Sequence, residues 1–540
     1  MNDTNPLYSH HIFLFPFRWE RDRTIDIKAF IKAIKNVGWE YKAFSIPEPD
    51  KANHCQHYNE FVFFYEFARD AIYNTTDDND KTFYTNNTCY QFNFKVYDSK
   101  YQIKTTKRDS PYELKLNAIK LKLYNTGIAI LSFHMDNDQY VEMQDIKNIN
   151  EFGRRTYPQY LPLDAVRDSF LPEFINITET NLCLIEDYSR YKKKTHFDIS
   201  VNENPADLPQ FIKNLLGDQF SNKREDNKIF VDPIIDDRMF TICWYGNNEK
   251  MAKLSTFDNE QYSGKNYAYN YETNPFWYEY IFIDAGDATC QSKSMRPELI
   301  KKHTYDRWID YQTIYGITRY SLMALSNNLP TLETQKADFI LPHIQTMYFQ
   351  LASLALAQRA SILNFSIRAT EISNDNQDLT EQVTTLYKDY IQFKNKMFFN
   401  EVTAQEQGIE MYEMLRQHMK IKENNEALEK VINDLHHYAN LKEQKEQTIA
   451  ENRKADETQN TNWLISMISL YFLFPTFITG VFGMNIMNNS FLAWHSEKKM
   501  WVIYLLFSFV IAGIIHFILC IRNKYRQKKK GVTRNSLPGR

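Results

Sequence analysis

Residue types capable of chemistry gather at two places in this chain. Asn462, Ser466, Ser469, Thr476 and Thr479 put small polar groups along one side of a run, residues 463–482, that carries no charged side chain. Hydrocarbon offers such groups no partners, so they must face protein or water. Hydroxyls that merely glue helices together are the alternative; five on one side favour a wet pathway. The run closes on Gly483, Met484 and Asn485. There a glycine can turn the backbone and Asn485 can present an amide oxygen. The second place lies far upstream. Arg154 and Arg155 follow Gly153, a candidate helix C-cap, and their guanidinium forks suit a phosphate, with Tyr157 available to stack on a base. Asp218, just after Leu216 and Gly217, could meet a ribose hydroxyl or an amine. Dipeptides of this kind are more commonly surface ion pairs and solvated carboxylates, so their reading depends on the surrounding text.

Other clusters carry less. His54, Cys55 and His57 have ligand-type side chains but lack a fourth ligand, which favours a structural role. Asp236 and Asp237 beside Arg238 read as a solvated turn, and Asp284 and Asp287 around Gly286 as turn caps. Walker A, GxGxxG, GxSxG and HExxH patterns are absent, so no enzymatic activity is expected.

The elements that must position these groups follow from patterning. Residues 463–482 and 500–521 each run about 20 residues without Asp, Glu, Lys or Arg, enough to cross a roughly 30 Å hydrocarbon layer. Basic residues from Arg522 to Arg534 follow the second run, whereas the connecting loop has only Lys498 and Lys499. That asymmetry places the tail, and with it the large amino-terminal part, on the cytoplasmic side of the plasma (inner) membrane. One helix cannot enclose a bore, so the first span is expected to line a pore in a homo-oligomer. The second span, with Ser508 and His516 as its comparable polar groups, reads as the outer helix. Before them, residues 379–458 contain one glycine and no proline, and Leu428, Val431, Leu435 and Tyr438 step as a packed helix seam requires. Residues 341–372 read as a further helix, with Met347, Leu351, Leu354 and Gln358 on one face.

Upstream, short strand-like runs alternate with helical stretches. Ile119, Leu121 and Leu123 alternate with Lys120 and Lys122, and a second run begins at Ile128 after Asn125-Thr126-Gly127. Such a pattern predicts a β-hairpin with one wet face. Ile12 to Phe15 reads as a short strand ended by Pro16, and Phe276 to Ile283 as a buried strand rich in aromatics. A polar loop is expected over residues 74–88. The fold class is thus α+β for a ligand-sensing region, residues 1–335, followed by a helical stalk, 336–461. A pore-lining span (462–483), an outer loop (484–499), a second span (500–522) and a basic tail (523–540) complete the chain.

Composition agrees. Of 540 residues 43% are hydrophobic and 24% charged, and 64 Lys and Arg against 67 Asp and Glu leave a net charge of −3. A field that weak gives no reason to expect direct nucleic-acid binding. The mean hydropathy of −0.54 excludes a polytopic membrane protein while allowing two spans. Six scattered cysteines without a CxxC pair, and a start lacking a signal peptide's basic and apolar regions, fit a cytoplasmic soluble part.

A stalk helix, a penultimate span ending in Gly483-Met484-Asn485, a short loop and a final span resemble the CorA family of divalent-cation channels. The resemblance implies a homopentamer, an outer selectivity ring at Asn485 and a pore-facing Thr476, with Mg²⁺ or another divalent cation as the permeant ion. Two departures weaken an ordinary uptake channel: the loop after the motif holds one carboxylate, Glu497, against two lysines, and Pro475 directly precedes Thr476. The segments His11-Ile12-Phe13-Leu14-Phe15-Pro16-Phe17-Arg18-Trp19, Gly153-Arg154-Arg155-Thr156-Tyr157-Pro158, Leu341-Pro342-His343 and Gln358-Arg359-Ala360-Ser361 resemble the CorA-like membrane effectors associated with type III CRISPR systems. That likeness implies gating by a nucleotide second messenger, such as adenylated S-adenosylmethionine, in antiviral defence. The alternative is a constitutive transporter of Mg²⁺, Co²⁺ or Ni²⁺ gated by cytosolic Mg²⁺.

Overall fold

The computed structural model describes residues 6–51, 53–157, 171–178, 181–188, 208–258, 268–286, 288–327, 339–374, 379–483 and 498–534. They form two compact units, Met1–His437 and Tyr438–Arg540.

The first unit is α+β. Its frame is a mixed, mainly antiparallel sheet centred on Ser9–Glu20, a strand flanked by Ile128–Asn137 on one side and by Phe240–Gly246 and Ile229–Pro233 on the other. Pro16 does not end this strand. The pairing with Phe240–Gly246 stops at Leu14, that with Ile229–Pro233 starts at Phe17, and Pro16 occupies the gap. A missing N–H costs the ladder nothing there.

The hairpin forms as its alternation requires, Tyr112–Tyr124 against Ile128–Asn137, with Gly127 at φ 77° in the turn. Its lysine face, however, is not wet. The helix Phe349–Asn374 covers it: Lys122 Nζ donates to the Ile72 carbonyl (3.1 Å) and to Gln350 Oε1 (2.5 Å), and both Lys120 and Lys122 lie over the Phe349 ring. Burial lowers the pKa of Lys120 to about 8. Met347, Leu351, Leu354 and Gln358 are buried as expected, but so are Ala352, Ala355, Leu356 and Ala357, so this helix is enclosed on every side over its first half.

On the opposite face of the sheet lie Phe13, Phe15, Phe17 and Trp19, packed under the helix Ile27–Lys35 and the helix Met143–Gly153. Phe276 to Ile283 is a helix, Pro275–Phe282, not a strand. Asn274 accepts from the Phe276 N–H, Pro275 occupies the first turn, and Trp277, Tyr280 and Ile281 bury one helical face. Within the expected 74–88 loop, Phe83–Asn86 is helical. Gly153 is not a left-handed cap. Its hydrogen lets the helix approach the sheet, since a Cβ there would lie 2.7 Å from Ile103 Cδ1 and 2.8 Å from Phe13 Cε2.

A buried polar chain pins the central strand. Asn137 Nδ2 donates to Ser9 Oγ (2.8 Å), which contacts His11 Nε2 (2.8 Å), while His11 Nδ1 meets Asn150 Oδ1 (2.8 Å). Asn150 Oδ1 can only accept, which assigns the proton to Nδ1 and leaves Nε2 to accept from Ser9. Burial, the largest influence, holds the His11 pKa down at about 4 against the ordinary 6.5. A depressed histidine pKa means stability that is complete above pH 6.5 and lost as pH falls toward 4, about 3 kcal/mol for this group. Chemical denaturation at pH 7, 5.5 and 4.5 is expected to show this loss, and His11→Gln to lose less over the same window. An identical pH dependence in the variant would discount the role of His11.

The long helix Ile421–Gly483 begins in this unit and packs on the helix Leu379–Lys396 through Tyr390–Asn425 and Lys394–Glu429 contacts. Its seam in this unit is Ile421, Asn425, Leu428 and Ile432. Leu428 was expected in it; Val431 and Tyr438 are exposed instead, because the buried Asn425 amide, bonded to the Tyr390 hydroxyl, sets the seam one residue round.

The second unit contains the rest of that helix and the helix Lys498–Arg534. Counting the described residues, no helix is long and apolar enough to cross a membrane. The runs 463–482 and 500–521 fall within these two helices, and each includes side chains outside the description. Trp463, Met467 and Tyr471 step by four along the first helix; Met467 is buried, and the two rings lie 6.2 and 5.6 Å from His516. Small buried groups on the second helix, Ser508 and Ala512, step in line with His516, as close helix packing favours.

Candidate functional site

Two short segments meet at one end of the sheet. The stretch after the helix Met143–Gly153 runs beside the stretch that leads into Phe240–Gly246: Met239 N–H donates to the Arg154 carbonyl (2.8 Å) and Thr156 N–H to the Asp237 carbonyl (2.9 Å). This pairing brings three arginines against three carboxylates. Arg154 Nη2 donates to Glu151 Oε2 at 2.9 Å, and Arg155 reaches both Glu151 and, at 3.0 Å, Asp237 Oδ2. Arg238 spans Asp236 at 2.7 Å and Asp237 at 3.3 Å. Asp236 and Asp237 are thus no solvated turn; Asp237 is 3% exposed. Burial, then the neighbouring Asp236, raises the Asp237 pKa above the usual carboxylate range.

Of the residues singled out upstream, the structure gathers Arg154, Arg155 and Tyr157. Burial foremost, then the negative charge of Asp237, raises the Tyr157 pKa. Asp218 lies apart, on the exposed turn after the helix Gln210–Leu216, whose Leu215 carbonyl accepts from Trp39 Nε1. His54 and His57 bond backbone carbonyls of Pro47 and Asn53, and no metal-holding cluster occurs among the described residues.

Sequence reasoning missed what the cluster borders. A cavity of about 400 Å³ is lined by Arg154, Arg238, Lys302, Arg319 and Lys420, with His303, His418, Tyr320 and Gln417, and by no carboxylate. Arg154 and Arg238 are neutralised from behind by the acidic trio. Lys302, Arg319 and Lys420 have no ion pair among the described residues, so the cavity carries uncompensated positive charge. Arg319 donates from Nε to the His418 carbonyl (3.2 Å), and Arg238 and Arg359 both stack on Tyr320, at 5.3 and 5.2 Å. The His303 and His418 rings stack at 4.1 Å. Burial, followed by His303, holds the His418 pKa at about 4, and its Nε2 is buried without a hydrogen-bond partner.

The floor of this cavity is a joint. The helix Glu406–His418 ends there, Lys420 takes a left-handed φ of 53°, and Ile421 starts the 63-residue helix. A left-handed non-glycine residue costs on the order of 1 kcal/mol and persists where the surroundings hold it. These residues come from positions near 154, 238, 302, 319 and 420, and only the positive φ is a local feature; the sequence offers no motif linking them.

At the other expected site the description stops early. Met484 and Asn485, with the loop to residue 497, lie outside the described residues, as do the side chains of Thr479 and Gly483's neighbours. Asn462, Ser466, Ser469 and Thr476 are exposed in the single chain. Ser466 and Thr476 donate back to the carbonyls of Asn462 (2.8 Å) and Phe472 (2.6 Å). At 100° per residue, these four positions lie about 100–180° round the helix from the Trp463–Met467–Tyr471 seam, so they face away from the second helix.

Residues 368–527 match the family described as CorA-like Mg2+ transporter protein, a class of divalent-cation channels and transporters. The chain therefore carries a CorA-like domain over its long helices. No curated protein matches the chain, and no solved structure does.

Proposed function

We propose that the protein is a CorA-like homo-oligomeric membrane channel, expected as a pentamer, opened by a nucleotide second messenger bound to its α+β region. The observation that carries the channel reading is the CorA-like match, which spans the two apolar runs and the motif between them. The orientation of Ser466, Ser469 and Thr476 away from the helix seam supports it, because in a ring of copies that side faces the axis. The nucleotide part draws support from the basic cavity, whose charge suits phosphates. Its role would be membrane-targeted antiviral defence alongside a type III CRISPR system. The matched family's own description favours a second reading, a constitutive Mg²⁺ transporter.

Proteoliposomes loaded with a Mg²⁺-sensitive dye separate the readings. The proposal expects flux to rise at least tenfold when adenylated S-adenosylmethionine is added on the side of the α+β region. Full flux without ligand establishes the constitutive transporter; no flux under any ligand leaves a membrane scaffold and ends the channel reading.

A further inference from the structure

We infer that the cavity between Arg319, Lys302 and the Lys420 joint seats a phosphate-bearing anion and that its occupation fixes the start of the long helix. This deepens the nucleotide reading, and rests on it, by assigning the phosphate end of the ligand to Lys302, Arg319 and Lys420 beside Arg154.

Three observations converge. First, the cavity wall has three cations, Lys302, Arg319 and Lys420, whose charge nothing in the described structure offsets. Convergent cations around a cavity of about 400 Å³ describe the recognition of a compact polyanion such as a diphosphate. Second, Arg154 Nε and His418 Nε2 are buried without hydrogen-bond partners, although Arg154 is 2% and His418 8% exposed. Buried polar atoms of this kind call for a partner: an ionised phosphate oxygen accepts from Arg154 Nε, and a phosphate hydroxyl donates to Nε2 of the neutral His418 ring, whose proton goes to the Lys302 carbonyl. Third, Lys420 holds a backbone conformation unfavourable to lysine, where a glycine would be free of strain. Such strain persists at switch points, where it has a use. A lysine here brings an ammonium to the cavity rim at the residue from which the long helix departs.

The joint is also mechanically exposed to the cavity. Arg319 is tied to the His418 carbonyl, and Lys420 N–H to the Gln417 carbonyl at 3.0 Å. An anion drawing Arg319 and Lys420 together therefore acts on both sides of the break between the two helices. A ligand shifts such an equilibrium only through its differential affinity for the two arrangements, which these two cations provide.

The test uses the full chain in detergent and inorganic pyrophosphate as the probe. Calorimetry is expected to give saturable binding, weakened at least tenfold by Arg319→Ala and by Lys302→Ala. Lys302 is exposed, so its variant remains informative if the first fails to fold; Lys253→Ala, on a helix elsewhere, is expected to bind as the parent does. Hydrogen exchange at residues 417–424 is expected to slow on binding. Absence of saturable binding, or binding indifferent to both variants, or exchange unchanged at the joint overturns the inference. If pyrophosphate binds and orders the joint while proteoliposomes pass no Mg²⁺, the channel reading falls and the site stands. If a nucleotide gates flux while pyrophosphate binding ignores both variants, the site falls alone.

Discussion

Asp237→Ala is expected to lower the unfolding free energy by about 3–5 kcal/mol, the largest single-residue loss in the first unit outside the apolar core. The carboxylate touches Arg155 at 3.0 Å and Arg238 at 3.3 Å, and it is 3% exposed. Removing it leaves two guanidinium groups, neither of which can shed its proton, with Glu151 and Asp236 as the remaining counter-charges. Arg154, itself fully buried against Glu151, then competes for what is left. The Asp237 backbone survives the substitution, so the Thr156 bonds to its carbonyl persist and the loss is electrostatic rather than a local unfolding. Thermal unfolding of the full chain in detergent is expected to fall by roughly 5–10 °C. Asp237→Asn is expected to cost about half as much, since burial and Asp236 already favour a neutral group at that position. Equal stability of parent and alanine variant would mean that the arginines do not depend on this carboxylate.

That cluster also marks the limit of what the sequence discloses. Arg154 and Arg155 are visible as a basic pair, and Asp236 to Arg238 as a charged turn, but nothing local says that residues 82 apart, Arg155 and Asp237, meet in one buried ion-pair cluster. Period-two alternation was enough for the Tyr112–Tyr124 hairpin because its register depends only on neighbours. Which of its faces would be wet depended on a helix more than 200 residues later, and the lysines proved buried. At Phe276 to Ile283 the aromatic content suggested β structure, while the decisive signals, Asn274 before Pro275 and the spacing of Trp277, Tyr280 and Ile281, were helical. The cavity beside the joint was not legible because its walls come from positions as far apart as 154, 238, 302, 319 and 420. The CorA-like likeness matched over residues 368–527 was legible, because the apolar runs and Gly483-Met484-Asn485 that carry it are properties of contiguous residues.

The second large effect concerns the pathway. Ser469→Cys and Thr476→Cys are expected to carry Mg²⁺ flux until a cationic thiol reagent reaches them, whereupon flux falls at least tenfold; Asn485→Ala is expected to abolish Mg²⁺ selectivity without any reagent. Ile514→Cys, on the side of the second helix opposite Ser508 and Ala512, is expected to be indifferent. The unsubstituted chain, with its exposed Cys55 and Cys183, sets the background. The competing arrangement is physically reasonable. Ser466 and Thr476 already satisfy their hydroxyls on carbonyls one turn back, so a dry packing of this side against another copy would cost little. What distinguishes the cases is water. Thiols react as thiolates, which form only where water reaches them, and a bulky cation attached at Thr476 obstructs only a bore that ions use. Modification at Ile514 with silence at Ser469 and Thr476 would place the hydroxyl side against neighbouring helices. The reverse pattern, with block of flux, puts the axis of the assembly on the side of the first helix that turns away from Trp463, Met467 and Tyr471.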